Sequence, residues 1–503
     1  MIRPIPTADR LPRTLYRAGQ VRELDRIAIE EQGIPGLTLM ERAGAAAFRL
    51  MRSRWPNAAD ITVVCGIGNN GGDGYILARL AIEAGLRAEV LYLGKLERLQ
   101  GDADTAATAY RTAGGVVHPF QGLPQQTDLI VDALLGTGLE REVVGEWRQA
   151  FDAINGHPAP VLALDLPSGI HSDNGRAMGV AVRAAATISF IGLKQGLFTG
   201  DGPDYGGKVF FNSLDVPEAV YRQSTAAAYR VDWWQQRVKF GRRSRTAHKG
   251  LLGHLLVVGG ERGYAGAVRM AGEAAARSGA GLISIAAHRE SLPLIAAGRP
   301  ELMCHGVDRV TGLGSLLRRA TVIAVGPGLG QSDWSLSLFQ QVLASPLPLV
   351  VDADALNLLA VEPLHRDNWI LTPHPGEAAR LLGCSTSEIA QDRFRAVIEL
   401  QHKFGGVVVL KGAGTLIAQE GGVAPALCSD GNPGMASGGM GDLLTGIIAA
   451  LLAQGVEPGN AAIMGVCLHA AAGDLAARYG ERGMLAGDLL PAIRRLINPE
   501  IFQ

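Results

Sequence analysis

The sequence is poor in aromatic residues, which make up 5% of the chain, and has no surplus charge of either sign: 47 Lys and Arg stand against 48 Asp and Glu, a net of −1. A neutral balance leaves no electrostatic footprint for a polyanion, so neither nucleic acid nor a membrane surface is expected as a partner. Cysteine is scarce too. Cys65, Cys304, Cys384, Cys428 and Cys467 form no C-x-x-C pair, which argues against a zinc site or a disulfide framework and fits a reducing, cytoplasmic setting. Long apolar runs are missing. The most apolar stretch, Leu443 to Val456, is short and interrupted by Thr445, Gly446 and Gln454, and the N-terminal stretch lacks an apolar core of signal-peptide length.

Glycine, by contrast, is plentiful, at 66 of 503 residues, about twice the usual ~7%. That suits many tight strand-to-helix turns. A single core stops growing near ~250–300 residues, so at least two domains are expected, placed at residues 1–225 and 229–503. From Asp60 onward, short β-branched runs alternate with helical patterns: ITVVCG, AEVLYLG, GVVHPF, DLIVDALLG, PVLALDLPSG and ATISFIGL. This is the rhythm of a parallel sheet buried on both faces. Val21 to Glu31 and Thr38 to Arg52 read as two preceding helices. The rhythm restarts after about Ala228 with HLLVVGG, GLISIAA, ATVIAVGPG, PLVVDAD, WILTPHPGE and VVVLKGAG. Between the halves, Arg237, Lys239, Arg242, Arg243, Arg245 and Lys249 occur with no acid among them. They read either as a solvated linker edge or as a segment facing a ligand phosphate.

After ITVVCG comes Gly66-Ile67-Gly68-Asn69-Asn70-Gly71-Gly72-Asp73-Gly74. Gly66, Gly68 and Gly71 satisfy G-x-G-x-x-G, which alone is a weak signal for a phosphate cradle. The next strand ends in Gly94 and Lys95 without the acid that an ordinary dinucleotide fold uses on the ribose, which argues against a Rossmann dehydrogenase. The polar Asn69, Asn70 and Asp73 add side-chain oxygens to a loop that needs only glycines; the alternative is a turn with Asp73 as a cap on the following helix. Asp132 and Asp165 each follow an apolar strand, where open α/β sheets collect ligands.

Near the C-terminus, Gly438, Gly439 and Gly441 precede Asp442 and a long apolar helical stretch. Free amides at such a helix start can face a developing phosphoryl anion, and the acid can take a proton from an attacking hydroxyl. A plain capping role for Asp442 is the alternative. Lys411 is the base best placed to approach nucleotide phosphates, while His374 reads equally as a buried, hydrogen-bonded histidine. No G-x-x-x-x-G-K-[ST] is present, which argues against a P-loop nucleotidase.

The motifs NNGGDG (Asn69 to Gly74), DALLGTGL (from Asp132), DLPSG (from Asp165) and GLKQGLFTGDGPD (from Gly192) resemble the epimerase half of bifunctional NAD(P)H-hydrate repair enzymes. GGERGYAGAVRMAGEAAARSGAGL (from Gly259), AVGPGLG, TPHPGE, VVVLKGAGT and the Gly438 to Asp442 segment resemble their dehydratase half. The resemblance implies an α/β fold: an N-terminal Rossmann-like three-layer sandwich followed by a ribokinase-like α/β/α domain. It implies a hydrated-cofactor site (NADHX or NADPHX) at Asn69, Asn70, Gly71, Gly72, Asp73, Gly136, Thr137, Gly138, Leu139, Glu140, Arg141 and Glu142. Asp165 would contact the reacting end, and a potassium ion would sit on Asn70, Asp132 and Ser168. In the second half, Ala265, Gly328, His374 and Asp442 would line the hydrate site. Lys411, Gly412, Ala413, Gly414, Thr415 and Gly441 would hold an adenine nucleotide, with ADP the first choice and magnesium neutralising its phosphates.

The implied chemistry is interconversion of R and S hydrates, with Asp165 catalytic, followed by nucleotide-dependent dehydration, with Asp442 as base. The chain is expected to form a homo-oligomer. The reading requires that Asp165 and Asp442 face separate pockets instead of lying in buried salt bridges. The competing reading is a ribokinase-type small-molecule kinase fused to a Rossmann-like ligand-binding module.

Overall fold

A computed structural model of the chain describes residues 11–308 and 312–498, and these divide into two units between Tyr229 and Arg230. In the first unit the apolar runs become strands whose side chains point alternately to opposite faces. Val63, Leu129 and Val131 enter one core cluster, while Val64 and Ile130 enter another on the far side. Burying each such side chain contributes about 1.5–3 kcal/mol, which is why the runs are continuous instead of alternating with polar residues. The sheet has seven strands in the order Val116–Pro119, Arg87–Tyr92, Asp60–Cys65, Leu129–Ala133, Val161–Leu164, Ala186–Phe190 and Lys208–Asn212, all parallel. Strand order reverses between Asp60–Cys65 and Leu129–Ala133, and such a reversal opens a crevice at the strands' carboxyl ends. A separate short strand, Leu193–Lys194, runs parallel to Thr14–Tyr16 with Lys194 opposite Tyr16.

The second unit repeats this order. Met303–Gly306, Leu282–Ala287, His254–Val258, Val322–Val325, Leu349–Val351, Trp369–Leu371 and Val407–Leu410 are parallel, and Thr415–Gln419 and Ala426–Cys428 follow antiparallel. The reversal lies between His254–Val258 and Val322–Val325. The helix Ala265–Arg277 packs against Met440–Ala453, which in turn packs against Pro458–Ala476.

Every strand expected in the sequence forms, but among the described residues seven others escaped notice: Thr14–Tyr16, Leu193–Lys194, Lys208–Asn212, Ala228–Val231, Met303–Gly306, Thr415–Gln419 and Ala426–Cys428. Lys208–Asn212 and Met303–Gly306 are sheet edges whose partly exposed residues give no continuous apolar signal. The first expected helix forms as Ala18–Arg26 and continues as a π-helical turn, Ile27–Glu31, and the second forms as Gly36–Arg54. Among the described residues, the helix beginning at Pro458, not Leu443 to Val456, is the one long and apolar enough by composition to cross a membrane. It lies mostly buried between Met440–Ala453 and Leu489–Leu496. The basic linker is strapped down within its unit: Lys239 Nζ meets Asn460 Oδ1 at 2.8 Å, and Arg243 donates to Gly279 O at 2.6 Å and Gln454 Oε1 at 2.8 Å.

Candidate active sites

In the first unit, NNGGDG is not a loop. The helix begins at Asn69, with Gly68 as its N-cap, so the polar motif forms the first turn of Asn69–Glu83 and Asp73 does not cap it. The glycines let this turn press onto the sheet. A Cβ on Gly66 would collide with the carbonyl of Leu134, and one on Gly74 would stand 2.6 Å from the Ala133 Cβ. The crevice between Gly66 and Leu134 is therefore closed backbone to backbone, which brings the Asn69 turn beside the loop after Asp132. A Cβ on Gly136 would lie 3.5 Å from that of Asn70 and 3.6 Å from Asp165 Oδ2, so Asn70, Gly136 and Asp165 share one spot.

Asp132 is fully buried. Its oxygens accept the Ser168 hydroxyl at 2.6 Å and the backbone N–H groups of Ser168 at 2.8 Å and Leu134 at 3.2 Å. Burial pushes Asp132 up to about 6, against the pull of the Ser168 hydroxyl. Both polar atoms of the buried Asn70 amide lack a protein partner. A buried carboxylate beside an amide whose polar atoms have no protein partner offers hard oxygen donors, a set whose chemistry fits a hard cation. Leu139 packs on the cluster around Val64 and Phe151, whereas Gly138, Glu140, Arg141 and Glu142 are exposed on the following loop and Thr137 is half-buried.

Asp165 does not stand as a free acid. It adopts a positive φ of 65° just past Val161–Leu164, a conformation Asp tolerates at some cost, and one oxygen, Oδ1, pairs with Lys194. The expectation of an acid outside any buried salt bridge is thus corrected, while Oδ2 stays on the Gly136 side. Lys194, which the sequence reading missed, is fully buried and also donates to Phe190 O at 2.9 Å and Ser189 Oγ at 3.3 Å. Two more carboxyls feel this pair. Burial, then the charges of Asp165 and Asp25, push Asp73 well up, with Lys194 pulling it down. Burial pushes Asp25 up to about 6, again with Lys194 opposing. Three carboxyls around one lysine cannot all be ionised cheaply, so burial and mutual repulsion raise the proton affinity of Asp73 and Asp25.

The second site lies at the carboxyl ends of its sheet. Asp352, at the end of Leu349–Val351 and almost completely buried, is its hub. Its oxygens accept Lys411 Nζ at 2.7 Å, Thr372 Oγ1 at 2.8 Å and Thr445 Oγ1 at 2.7 Å. Lys411 Nζ also lies 3.8 Å from the buried Glu377 Oε2. Burial pulls Lys411 down, but Asp352 and Glu377 outweigh it, and the net movement is upward. Asp352, Glu377, Thr372 and Thr445 were not singled out in the sequence, although an acid straight after an apolar strand was the available signal at Asp352.

Met440–Ala453 starts after Gly439 in the left-handed region, φ 89°, so Asp442 lies in its first turn without being the cap. A Cβ on Gly441 would lie 3.4 Å from Lys411 Nζ and 3.7 Å from Asp352 Oδ2, which leaves open backbone where the helix amides emerge. Burial, then the charges of Asp352 and Asp354, push the partly exposed Asp442 up to about 7, with Lys411 opposing. The pKa of such a carboxyl suits a general base at neutral pH.

His374 caps Pro375–Leu382. Its Nδ1 accepts the N–H groups of Gly376 at 2.9 Å and Glu377 at 3.3 Å, which puts the ring proton on Nε2. The ring is hydrogen-bonded, as one reading had it, but half-exposed rather than buried. Ala265 is the first residue of its helix, and a Cβ on Gly328 would stand 2.7 Å from Tyr264 O, so the two meet at the strand-order reversal. Lys411 to Thr415 form the turn between Val407–Leu410 and Thr415–Gln419, and the buried Arg393 clasps the carbonyls of Leu410, Lys411 and Ala413.

Comparison with known proteins matches both halves. The family described as YjeF-related protein N-terminus covers residues 36–196, and that described as NAD(P)H-hydrate dehydratase covers residues 255–495. Bifunctional NAD(P)H-hydrate repair enzyme Nnr of Coxiella burnetii is 50% identical over 487 residues, 96% of this chain and 99% of the relative. The protein of that name from Escherichia coli is 45% identical over 497 residues, 98% of this chain and 95% of the relative. Among solved structures, a ribokinase-like superfamily protein of Enterococcus faecalis aligns with a TM-score of 0.51 at 29% identity, covering 55% of this chain and 96% of that one.

Proposed function

The chain belongs to the family of bifunctional NAD(P)H-hydrate repair enzymes, and from that premise we propose how its two sites divide the work. It is an NAD(P)H-hydrate epimerase and dehydratase: the N-terminal half interconverts the R and S hydrates, and the C-terminal half restores NADH or NADPH. The observation that carries the residue assignment is that each half sets a carboxyl group beside open glycine backbone past the carboxyl ends of its strands: Asp165 Oδ2 by Gly136, and Asp442 next to Gly441 and near Asp352 and Lys411.

In the epimerase half, Asn69 to Asp73 and Gly136 to Glu142 bind the hydrated dinucleotide and Asp165 Oδ2 faces ring carbon 6. The carboxyl cluster delivers a proton to the hydroxyl as the C6–O bond breaks. Water leaves, and the ring nitrogen's lone pair stabilises the cation. Asp165 holds that cation and accepts a proton when water returns to the opposite face. Asn70, Asp132 and Ser168 would hold a potassium ion, whose charge would compensate the buried Asp132.

In the dehydratase half, Asp442 takes the proton of the C6 hydroxyl, whose oxygen attacks the terminal phosphorus of ADP and releases AMP. The C6–O bond then breaks with phosphate as the leaving group, and loss of a C5 proton regenerates the dihydronicotinamide. Hydroxide leaves badly and phosphate leaves well, which is the purpose of the first step. Lys411 to Thr415 and Gly441 cradle the nucleotide, with Lys411 oriented by Asp352 and Glu377, and Ala265, Gly328 and His374 hold the hydrate. Magnesium would arrive on the nucleotide phosphates and need only one or two carboxylates from the protein.

The test is incubation of the purified chain with mixed R and S hydrates plus ADP. Complete recovery of reduced-nicotinamide absorbance with stoichiometric inorganic phosphate and AMP supports this reading. An accumulating phosphomonoester would support a small-molecule kinase instead.

A further inference from the structure

Lys194 lies outside every motif role assigned above, and its surroundings are unusual. A lysine is rarely fully buried unless paired, and this one is almost completely enclosed. It stands on the two-residue strand Leu193–Lys194, whose pairing with Thr14–Tyr16 fixes the backbone from which the side chain projects. From there the ammonium group meets three acceptors: Asp165 Oδ1, Phe190 O at 2.9 Å and Ser189 Oγ at 3.3 Å. An ammonium group has three protons to donate, and these three acceptors take them all.

Asp165 needs such a partner. Its backbone is in the left-handed region, and its amide is tied to Ile188 O at 2.7 Å, so the carboxylate leaves the strand end at an angle that the strand itself does not enforce. Oδ1 is clamped by Lys194, with the Phe190 N–H at 3.4 Å behind it. Oδ2 is left on the side of Gly136 and Asn70. A carboxylate held by one oxygen through a buried cation has its other oxygen fixed in direction, which is what a reaction at a single ring carbon requires.

We infer that Lys194 is the positioning residue of the epimerase site: it clamps Asp165 Oδ1 so that Oδ2 alone faces the hydrate, and its charge offsets the carboxyls that surround it. Those carboxyls are Asp165 itself, Asp73 on Asn69–Glu83 and Asp25 on Ala18–Arg26, and Lys194 opposes the upward movement of both Asp73 and Asp25. The inference rests on the epimerase reading and adds to it a residue that never touches the substrate.

The experiment follows conversion of pure R hydrate to S hydrate by the full chain, without nucleotide, for the wild type, Lys194→Met, Lys194→Arg and Lys194→Gln. Lys194→Met is expected to lower kcat about 10–100-fold, the usual effect of removing an orienting partner, with KM within about twofold. Lys194→Arg, which keeps the charge, recovers most of the rate. Carboxyl carbon NMR provides a readout independent of turnover: without the lysine's charge, Asp25 titrates above its wild-type value of about 6. If Lys194→Met does not fold, Lys194→Gln decides, because it keeps a polar N–H donor on a chain one atom shorter while losing the charge, and the same kcat loss is expected. Wild-type turnover in the neutral variants, a loss confined to KM, or an arginine variant as slow as the methionine one overturns the inference. Failure of the wild type to interconvert the hydrates would instead overturn the epimerase reading on which it rests.

Discussion

Replacing Asp442 with Asn should abolish dehydration while making the folded chain more stable, and the gain should depend on pH in a defined direction. Burial first, then the charges of Asp352 and Asp354, carry this carboxyl from 3.8 to about 7. The unfolded chain releases the proton near the lower value. Between about pH 4 and pH 7 the folded state therefore holds a proton that the unfolded state has lost, and stability falls as pH rises. At ~1.4 kcal/mol for each pH unit, the ionised carboxyl costs the folded state on the order of 4 kcal/mol above neutrality, and water at its partly open edge screens this to roughly 2 kcal/mol. Asn carries no charge to desolvate. The advantage of Asp442→Asn over the wild type should grow from about pH 4, reach roughly 2 kcal/mol near pH 7 and level off above it. Native-state hydrogen exchange in Met440–Ala453, read across that range, measures it. Over the same range, wild-type dehydration should rise through about pH 7 as the base loses its proton. A stability difference that is flat with pH, or that widens toward acid, would refute the argument that Asp442 is a strained, half-desolvated base.

Asp165→Asn should eliminate interconversion of the hydrates and leave dehydration of the S hydrate untouched, as measured by chromatographic separation of the epimers and by absorbance; loss of both activities would contradict two independent sites. Gly66→Ala places a methyl group against the Leu134 carbonyl where the strand order reverses. It should cost the N-terminal unit about 1–3 kcal/mol and lower its melting temperature by about 3–10 °C, with epimerisation falling in step, while an unchanged melting curve would show that the crevice is less tightly closed than its backbone contacts indicate.

The linear order of apolar runs was sufficient to determine the two α/β halves and most of their strands, because a strand buried on both faces needs an unbroken run of Val, Ile and Leu, and that requirement is local. Asn69 to Asp73, Asp132, Asp165 and Asp442 were legible for a related reason: polar residues at the edge of such runs stand out, Asp165 just after its strand, Asp132 near the end inside its own, and Asp442 at the start of an apolar helix. The edge strands Lys208–Asn212 and Met303–Gly306 escaped because partial exposure erases the apolar run. The start of Asn69–Glu83 was misplaced because glycine, a poor helix former, was read as loop, whereas close packing on Ala133 and Cys65 demands it.

Only the tertiary structure decided the electrostatics. Lys194 lies 29 residues from Asp165, and Lys411 lies 59 from Asp352; no periodicity links either pair. Strand order and register bring the partners together, and burial then makes their charges matter, since the same groups in water would attract one another only weakly. Sequence alone therefore determined which acids flank the apolar runs, and the fold determined which of them is clamped and which is pushed up by burial.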